Sequence, residues 1–340
     1  MTRLRIIPFC NWGRSMKRPA ALIFSLLAVS LAAPALAQDR YPTRPIRLVI
    51  PSVPAGVHDV IGRVWAERVK PQLGTIVIDN RGGGGGLIGA NDVAHSQPDG
   101  YSILLGSTST HVLLTPVMAN PPYDPVKDFS AVAVFAYSST SIVINPTLPV
   151  RTLRELIDYA NANPGKLSYG SAGNGSITNL AGELFKLRAG GLDIVHVPYK
   201  GIGQGVTDLI GGQIPMFSAN ATAQILDLYR AGKVRILSVN AQTRIRSAPD
   251  IPTSIEAGLP DMVAQTTFGI FAPAGTPRPI LERINAVTQE AMADETFQKE
   301  LLRVGFEPVR DAGPDKAAGV FQDELVRWTP ILKTIGTKSE

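Results

Sequence analysis

The sequence predicts an α/β protein with largely parallel sheets. Three observations carry that reading. Short apolar runs alternate with amphipathic segments, the amphipathic segments open on helix-start signals, and the apolar runs repeatedly end in loops of small polar residues. A mature chain of roughly 300 residues also exceeds what a single core usually serves, so two lobes are expected.

The first element is a leader, residues 1–37. From Met16 the chain reads MKRPAALIFSLLAVSLAAPALAQDR: a basic start at Lys17 and Arg18, an apolar stretch from Ala20 to Ala33, and Ala35-Leu36-Ala37 as an A-x-A cleavage signal. The apolar stretch is shorter than the roughly 20 residues that span a bilayer. A cleavable export signal is therefore expected, with translation starting at Met16 and the mature chain at Gln38. The formal net charge of +5 comes from 33 basic and 28 acidic residues. Arg3, Arg5, Arg14, Lys17 and Arg18 fall in the leader, which holds no acid, so the mature chain is formally neutral. It has neither the basic footprint that nucleic acid demands nor the charge for an electrostatic membrane anchor. Cys10, the only cysteine, also lies in the leader. Disulfides and thiolate metal sites are thereby excluded from the mature chain.

Strands are expected at 46–51, 76–79, 101–107, 142–146, 167–171, 193–199, 215–219, 234–240 and 268–272. Helices fill most of the intervals. Thr152-x-x-Glu155 is a capping box, and Ile177, Leu180, Leu184 and Leu187 recur at helical spacing behind Ser176. Thr276 and Pro277 form an N-cap and N1 pair ahead of Ile280, Leu281, Ile284 and Val287. Strand-like text runs almost unbroken over 131–145 and again over 266–273, with no low-complexity linker. Two crossings between lobes would split the first lobe into 38–138 and 267–340 and leave 139–266 as the second.

The stretch TIVIDNRGGGGGLIGAN poses a nucleotide question. Gly84-x-Gly86-x-x-Gly89 satisfies the dinucleotide pattern between a strand and a helix. That pattern needs an acid about 20 residues later, at the end of the next strand, to hold the ribose. Here the next strand ends in Gly106 and Ser107, and a P-loop fails because Leu87 and Ile88 stand where Lys and Ser or Thr are required. The run reads as a flexible turn into a helix, and no cofactor is expected.

Enzyme chemistry finds no positive signal. Neither Ser171 nor Ser176 has the glycine two places before it that G-x-S-x-G requires. His58, His95, His111 and His196 are too dispersed for a close-spaced metal motif. His196, inside DIVHVPY, reads as a structural histidine, and His95 as solvated. Binding is better supported. In parallel α/β sheets, ligands sit outside the carboxyl ends of strands, and those ends here run into PSVPAGVHD, GSTSTH, YGSAGNGSITN and SANAT. Glycines admit a ligand to the backbone, hydroxyls and amides orient it, and helix N-termini favour a carboxylate.

These loops also carry a resemblance. YPTRPIRLVIPSVPAGVHDVIGR, VIDNRGGGGGLIGANDVAHSQPDGYSILLGS, PYDPVKDF, GKLSYGSAGNGSITNLAGELFK, HVPYKG, AGKVRILSV, PDIPTSIEAGLP and FGIFAPAGTP occur in order along nearly the whole mature chain. The set closely resembles the Bug-type solute receptors of tripartite tricarboxylate transporters. The resemblance implies a two-lobed, type II periplasmic-binding-protein fold, with two mixed, mostly parallel sheets, flanking helices and two hinge crossings. It further implies a periplasmic monomer, no enzyme and no metal, that closes on a small carboxylate and delivers it to membrane permease subunits. A sensory output through a membrane kinase is the alternative partner reading.

Carried over position by position, the ligand-binding candidates of the first lobe are Pro54, Ala55, Gly56, His58 and Asp59, then Ser107, Thr108 and His111, and Thr267 with Phe268. Those of the second are Ser171, Ala172, Gly173, Asn174, Gly175, Ser176, Tyr199 and Asn220. Three departures stand out, at Ala55, His58 and Thr267. Ala55 replaces a glycine of the family's Pro-Gly-Gly, and His58 stands where a small polar residue is common. Asp59 is retained, with a helix N-cap as its alternative role. Thr267 replaces an aromatic residue and implies a changed pocket wall. His58 is expected to add a hydrogen bond to a distal carboxylate or hydroxyl of the ligand.

Overall fold

The computed structural model describes residues 41–309 and 313–335. The expected leader, with its cleavage site and Cys10, lies outside the described residues. The fold is carried by the unit that begins at Arg44. Its first part runs β1 (Ile46–Ile50), α1 (Val57–Leu73), β2 (Ile76–Asn80), α2 (Leu87–Ala94) and β3 (Ser102–Ser107). β1 lies between β2 and β3 and is parallel to both, with Ile46 opposite Ile76 and Leu48 opposite Ile103. Ile46, Leu48, Val49, Ile50, Ile103 and Leu104 are fully buried, which is why these strands read as unbroken apolar runs rather than alternating ones.

The strand-like text of 131–145 and 266–273 forms two long strands, β4 (Phe129–Ile144) and β9 (Gln265–Pro273). They run antiparallel from the Phe129–Pro273 pair to the Ser139–Gln265 pair. From Thr140 onward β4 changes partners, pairing antiparallel with β7 (Met216–Asn220) and β8 (Arg235–Val239). The remaining elements of that second half are α3 (Leu153–Ala162), β5 (Leu167–Ser171), α4 (Ile177–Arg188), β6 (Ile194–Pro198), α5 (Ile202–Ile210) and α6 (Ala223–Arg230). β5 is parallel to both β6 and β7. The chain continues through α7 (Arg278–Ala293), α8 (Glu295–Arg303), β10 (Glu307–Pro308) and α9 (Pro314–Ile335). These late elements return to the first half: β3 pairs with β9, β10 pairs with β4, α7 packs on α1 and β4, and α9 packs on β4.

Hydrogen bonding thus links the strands in the order β2-β1-β3-β9-β4-β7-β5-β6, with β8 and β10 also on β4. The fold is the expected α/β architecture with mixed sheets. Its parallel pairs lie among the short strands of each half, and every antiparallel pair involves β4 or β9.

The start signals differ in how they are used. Thr152 caps α3 by accepting from the Glu155 N–H at 3.1 Å, while the Glu155 carboxylate takes the Arg151 N–H at 2.7 Å instead of the Thr152 N–H of a standard box. Ser176 caps α4 through the Asn179 N–H at 3.2 Å. Thr276 does not cap α7 as expected. Its hydroxyl donates to the Pro273 carbonyl at 2.8 Å, and the helix opens one residue later, behind Pro277.

Candidate functional site

The loop between β1 and α1 is closed by Asp59. This residue is buried in the first turn of α1, and its carboxylate reaches back to the Ala55 N–H at 2.8 Å. It also accepts from Arg63 Nε at 2.9 and 3.0 Å and from Asn80 Nδ2 at 2.9 Å. Burial alone would raise its pKa; the bonds from Arg63, Ala55 and Asn80 outweigh that and hold it below the ordinary carboxylate value. The carboxylate therefore serves the loop. Ala55 sits in the left-handed region at φ 62°, a conformation that costs a non-glycine residue about 1 kcal/mol. Its N–H bond to Asp59 helps offset that strain. Pro54 and Ala55 are exposed, and Gly56 opens α1 with no side-chain cap.

His58 faces the end of β3. Its Nε2 lies 2.8 Å from Ser107 Oγ, and its ring meets the edge of Phe268 at 5.1 Å. Ser107 and Phe268 are register partners in the β3–β9 ladder, so their side chains share a face of the sheet. Burial lowers the His58 pKa to about 4, leaving the ring neutral at pH 7. Thr108 and Thr267, the next residues along, turn to α9. Thr108 Oγ1 donates to Glu324 Oε2 at 2.7 Å and Thr267 Oγ1 to Glu324 Oε1 at 2.5 Å, while Thr108 Oγ1 accepts the Thr267 N–H at 2.9 Å. Burial raises the Glu324 pKa against these bonds.

His111 is placed elsewhere. It is buried, stacked on Phe271 at 3.7 Å and edge-on to Phe129 at 4.8 Å, with Phe321 at 5.6 Å. These rings line a cavity of about 50 Å³ beside α9, and His111 Nε2 has no protein partner. Burial pushes its pKa down to about 3, so it is a neutral member of the core.

The glycine run is a packing device. Gly85 is left-handed at φ 67°, and a Cβ there would lie 3.1 Å from Leu114 Cδ2; at Gly86, φ 109°, it would lie 2.9 Å from Thr110 Cγ2. Leu114 also stands 3.4 Å from where a Cβ on Gly175 would be. One leucine thus brings together the glycine run and the loop after β5.

That second loop is closed by neutral groups. The Ala172 N–H donates to Thr178 Oγ1 at 2.9 Å, the Gly175 N–H to Asn179 Oδ1 at 3.1 Å, and Ser176 Oγ to the Gly173 carbonyl at 2.7 Å. Asn174 is exposed at the tip. Ser171, fully buried at the end of β5, lies 2.7 Å from His196 Nε2. Tyr199 and Asn220 are engaged by the protein. Tyr199 donates to Asp208 at 2.9 Å, and the Asn220 amide reaches the Ser138 carbonyl at 3.3 Å and Thr266 Oγ1 at 3.1 Å.

The structure therefore collects His58, Ser107 and Phe268 at one strand end and residues 171–176 at another, with Leu114 between the glycine run and the second of these loops. It ties Asp59, Thr108, Thr267, Tyr199 and Asn220 to protein partners and buries His111 in the core. Two partnerships escaped the sequence reading: His196, read as a structural histidine, pairs with Ser171, and Glu324 anchors Thr108 and Thr267. Among the described residues no three His, Cys, Asp or Glu side chains cluster as a metal site, and no helix is long and apolar enough to cross a membrane.

An α/β chain with polar loops at the carboxyl ends of its parallel strands has the architecture of a periplasmic binding protein, and its structural neighbours are of that class. The model of the tripartite tricarboxylate transporter family receptor matches residues 61–337, and the chain belongs to that family. It is 34% identical to protein BugT of Bordetella pertussis over 95% of this chain and 99% of the relative. Among solved structures it is similar to R. palustris Rpa4515 with adipate, at 33% identity and a TM-score of 0.82 over 87% of this chain and 99% of that one. It is also similar to MatC of Rhodopseudomonas palustris with bound malate, at 29% identity and a TM-score of 0.78 over 86% and 100%. These relatives are solute receptors, and the chain is a receptor of the same family and no enzyme.

Proposed function

We propose that this receptor captures a small organic carboxylate between the loops after β1, β2 and β3 and the loop after β5, and delivers it in the periplasm to the permease of a tripartite transporter. The observation that carries the reading is the pairing of two buried serines with neutral histidines at two strand ends. These are Ser107 with His58 and Ser171 with His196, one in each half, with Leu114 reaching the glycine run and the loop after β5. The adipate and malate seen in two neighbours support a carboxylate as the class of solute. Arg63 is taken up by Asp59 and Asn80, so the ligand's charge would be met by hydroxyls, backbone N–H groups and the N-termini of α1 and α4. Residues 38–138 with 267–340, and 139–266, act as the two lobes; the change of partner along β4 at Ser139 and Thr140 supports the boundary. Hinge bending there closes the cleft. Export through the leader places the receptor where the permease can be met.

Thermal unfolding of residues 38–340, first unfolded and refolded to strip carried solute, tests this against a panel of organic acids that includes adipate and malate. An acid at 100 times its Kd adds about 2.7 kcal/mol, which moves the midpoint by about 5 °C in a chain of this size. Ser107→Ala and Ser171→Ala should each reduce that shift. A panel in which no acid moves the midpoint overturns the carboxylate assignment.

A further inference from the structure

The two crossings between the proposed lobes run side by side. β4 and β9 pair through Tyr137 with Thr267, Ser138 with Thr266 and Ser139 with Gln265, and the Thr140 N–H then reaches the Ala264 carbonyl at 2.9 Å. The proposed lobe boundary on β9 falls between Thr266 and Thr267, and α9 holds the chain on both sides of it. On the first-lobe side the Glu324 carboxylate takes the Thr267 hydroxyl at 2.5 Å and the Thr108 hydroxyl at 2.7 Å, which fixes the helix to β9 and to the end of β3. Three residues further along α9, and so on the same face of the helix, Arg327 Nη1 donates to the Val263 carbonyl at 3.2 Å, on the second-lobe side. The guanidinium also lies 5.2 Å from the centroid of the Trp328 ring, within cation–π range, and Trp328 is fully buried. In this same arrangement the lobes meet: Leu114 Cδ2 of the first stands 3.4 Å from where a Cβ on Gly175 of the second would be.

We infer that α9 splints the β9 crossing, with Glu324 anchoring the helix on the first lobe and Arg327 tying it to the second, so that Arg327 is a positioning residue which favours the drawn-together arrangement and acts on ligand affinity through the hinge. The inference rests on the two-lobed receptor reading. A bend between Thr266 and Thr267 carries Val263 away from a helix that stays with Thr267, and so stretches the Arg327–Val263 bond. A bond made in only one of two arrangements shifts the equilibrium between them, even from a residue that the ligand never touches.

Small-angle X-ray scattering from ligand-free residues 38–340 tests this. Arg327→Met, which keeps an unbranched stem but loses the donor, should raise the radius of gyration above the wild-type value, and so should Arg327→Gln, whose amide is too short to reach Val263. Arg327→Lys, which keeps a donor, should restore most of the wild-type value. A radius of gyration unchanged in both Arg327→Met and Arg327→Gln overturns the inference without any ligand. Titration calorimetry with adipate, and with malate in parallel, gives the second reading. Arg327→Met should weaken binding about fivefold, by the factor that the drawn-together population loses, and a saturating acid should return its scattering to that of liganded wild type, which a merely unfolded variant would not do. An affinity loss with no change in scattering also overturns the inference, because Arg327 would then act by a route other than the hinge. Wild-type protein that binds neither acid overturns the receptor reading, while the ligand-free scattering still decides the splint.

Discussion

After β1 the chain is turned by a charge: Asp59 gathers the Ala55 N–H, Arg63 and Asn80 onto one buried carboxylate. After β5 it is turned by Thr178, Asn179 and Ser176, with no ionised group in the loop. Both loops then leave a serine at a strand end against a neutral histidine, at 2.8 Å in the first and 2.7 Å in the second. Similar hydroxyl sites can thus rest on different supports, and the support decides how each responds to mutation and acid.

The largest effect is expected at the charged support. Asp59→Ala removes the carboxylate that the Ala55 N–H, Asn80 Nδ2 and Arg63 share and should cost about 3 kcal/mol in urea unfolding, against about 1 kcal/mol for Thr178→Val. Equal losses would mean that the carboxylate is not what holds the first loop. Next comes acid. His58 is held near pKa 4 and His111 near 3, both by burial, so below the ordinary histidine value of 6.5 the unfolded chain takes up protons that the native chain refuses. Stability should therefore fall as pH drops from about 6.5 toward 4, and His58→Gln should flatten part of that slope. His196, lowered by burial and poised between Glu183 and Lys186, acts in the same direction. The Asp59 contribution has its own window: with its native pKa depressed, it is fully present above the ordinary carboxylate value and is lost as pH falls from there toward the lower native one. A slope unchanged by His58→Gln would assign the acid response to other groups. The smallest effect is at the exposed tip, where Asn174→Ala should change unfolding free energy by no more than about 0.5 kcal/mol.

Much of this was legible in the sequence. Apolar runs bounded by turn residues placed all nine expected strands; in β1 and β3, whose inner residues are fully buried, there is no alternation to misread. The family motifs brought attention to 54–59 and 171–176. The partners of those residues were not legible, since they come from distant chain positions. His196 reaches Ser171 from 25 residues away on a neighbouring strand, and Glu324 reaches Thr108 from 216 away. On an amphipathic helix such as α9, Glu324 looks like any solvated acid. Asp59 offered two readings, cleft or N-cap; the second fails because α1 already begins at Val57 behind Gly56, and the carboxylate instead reaches back across the turn.

The placement of β9 has a consequence for how the chain assembles. In the second half β5, β6 and β7 follow closely in sequence and pair with one another and with β4, so that half can zip up from neighbouring segments. In the first half β3 ends at Ser107, and its outer partner begins at Gln265, with the entire second half between them. Such long-range closure is slow. During refolding the amides of β5 to β7 should become protected from solvent exchange before those of β3. The oldest-made strands of the chain would then wait, with an open edge, for almost the last one.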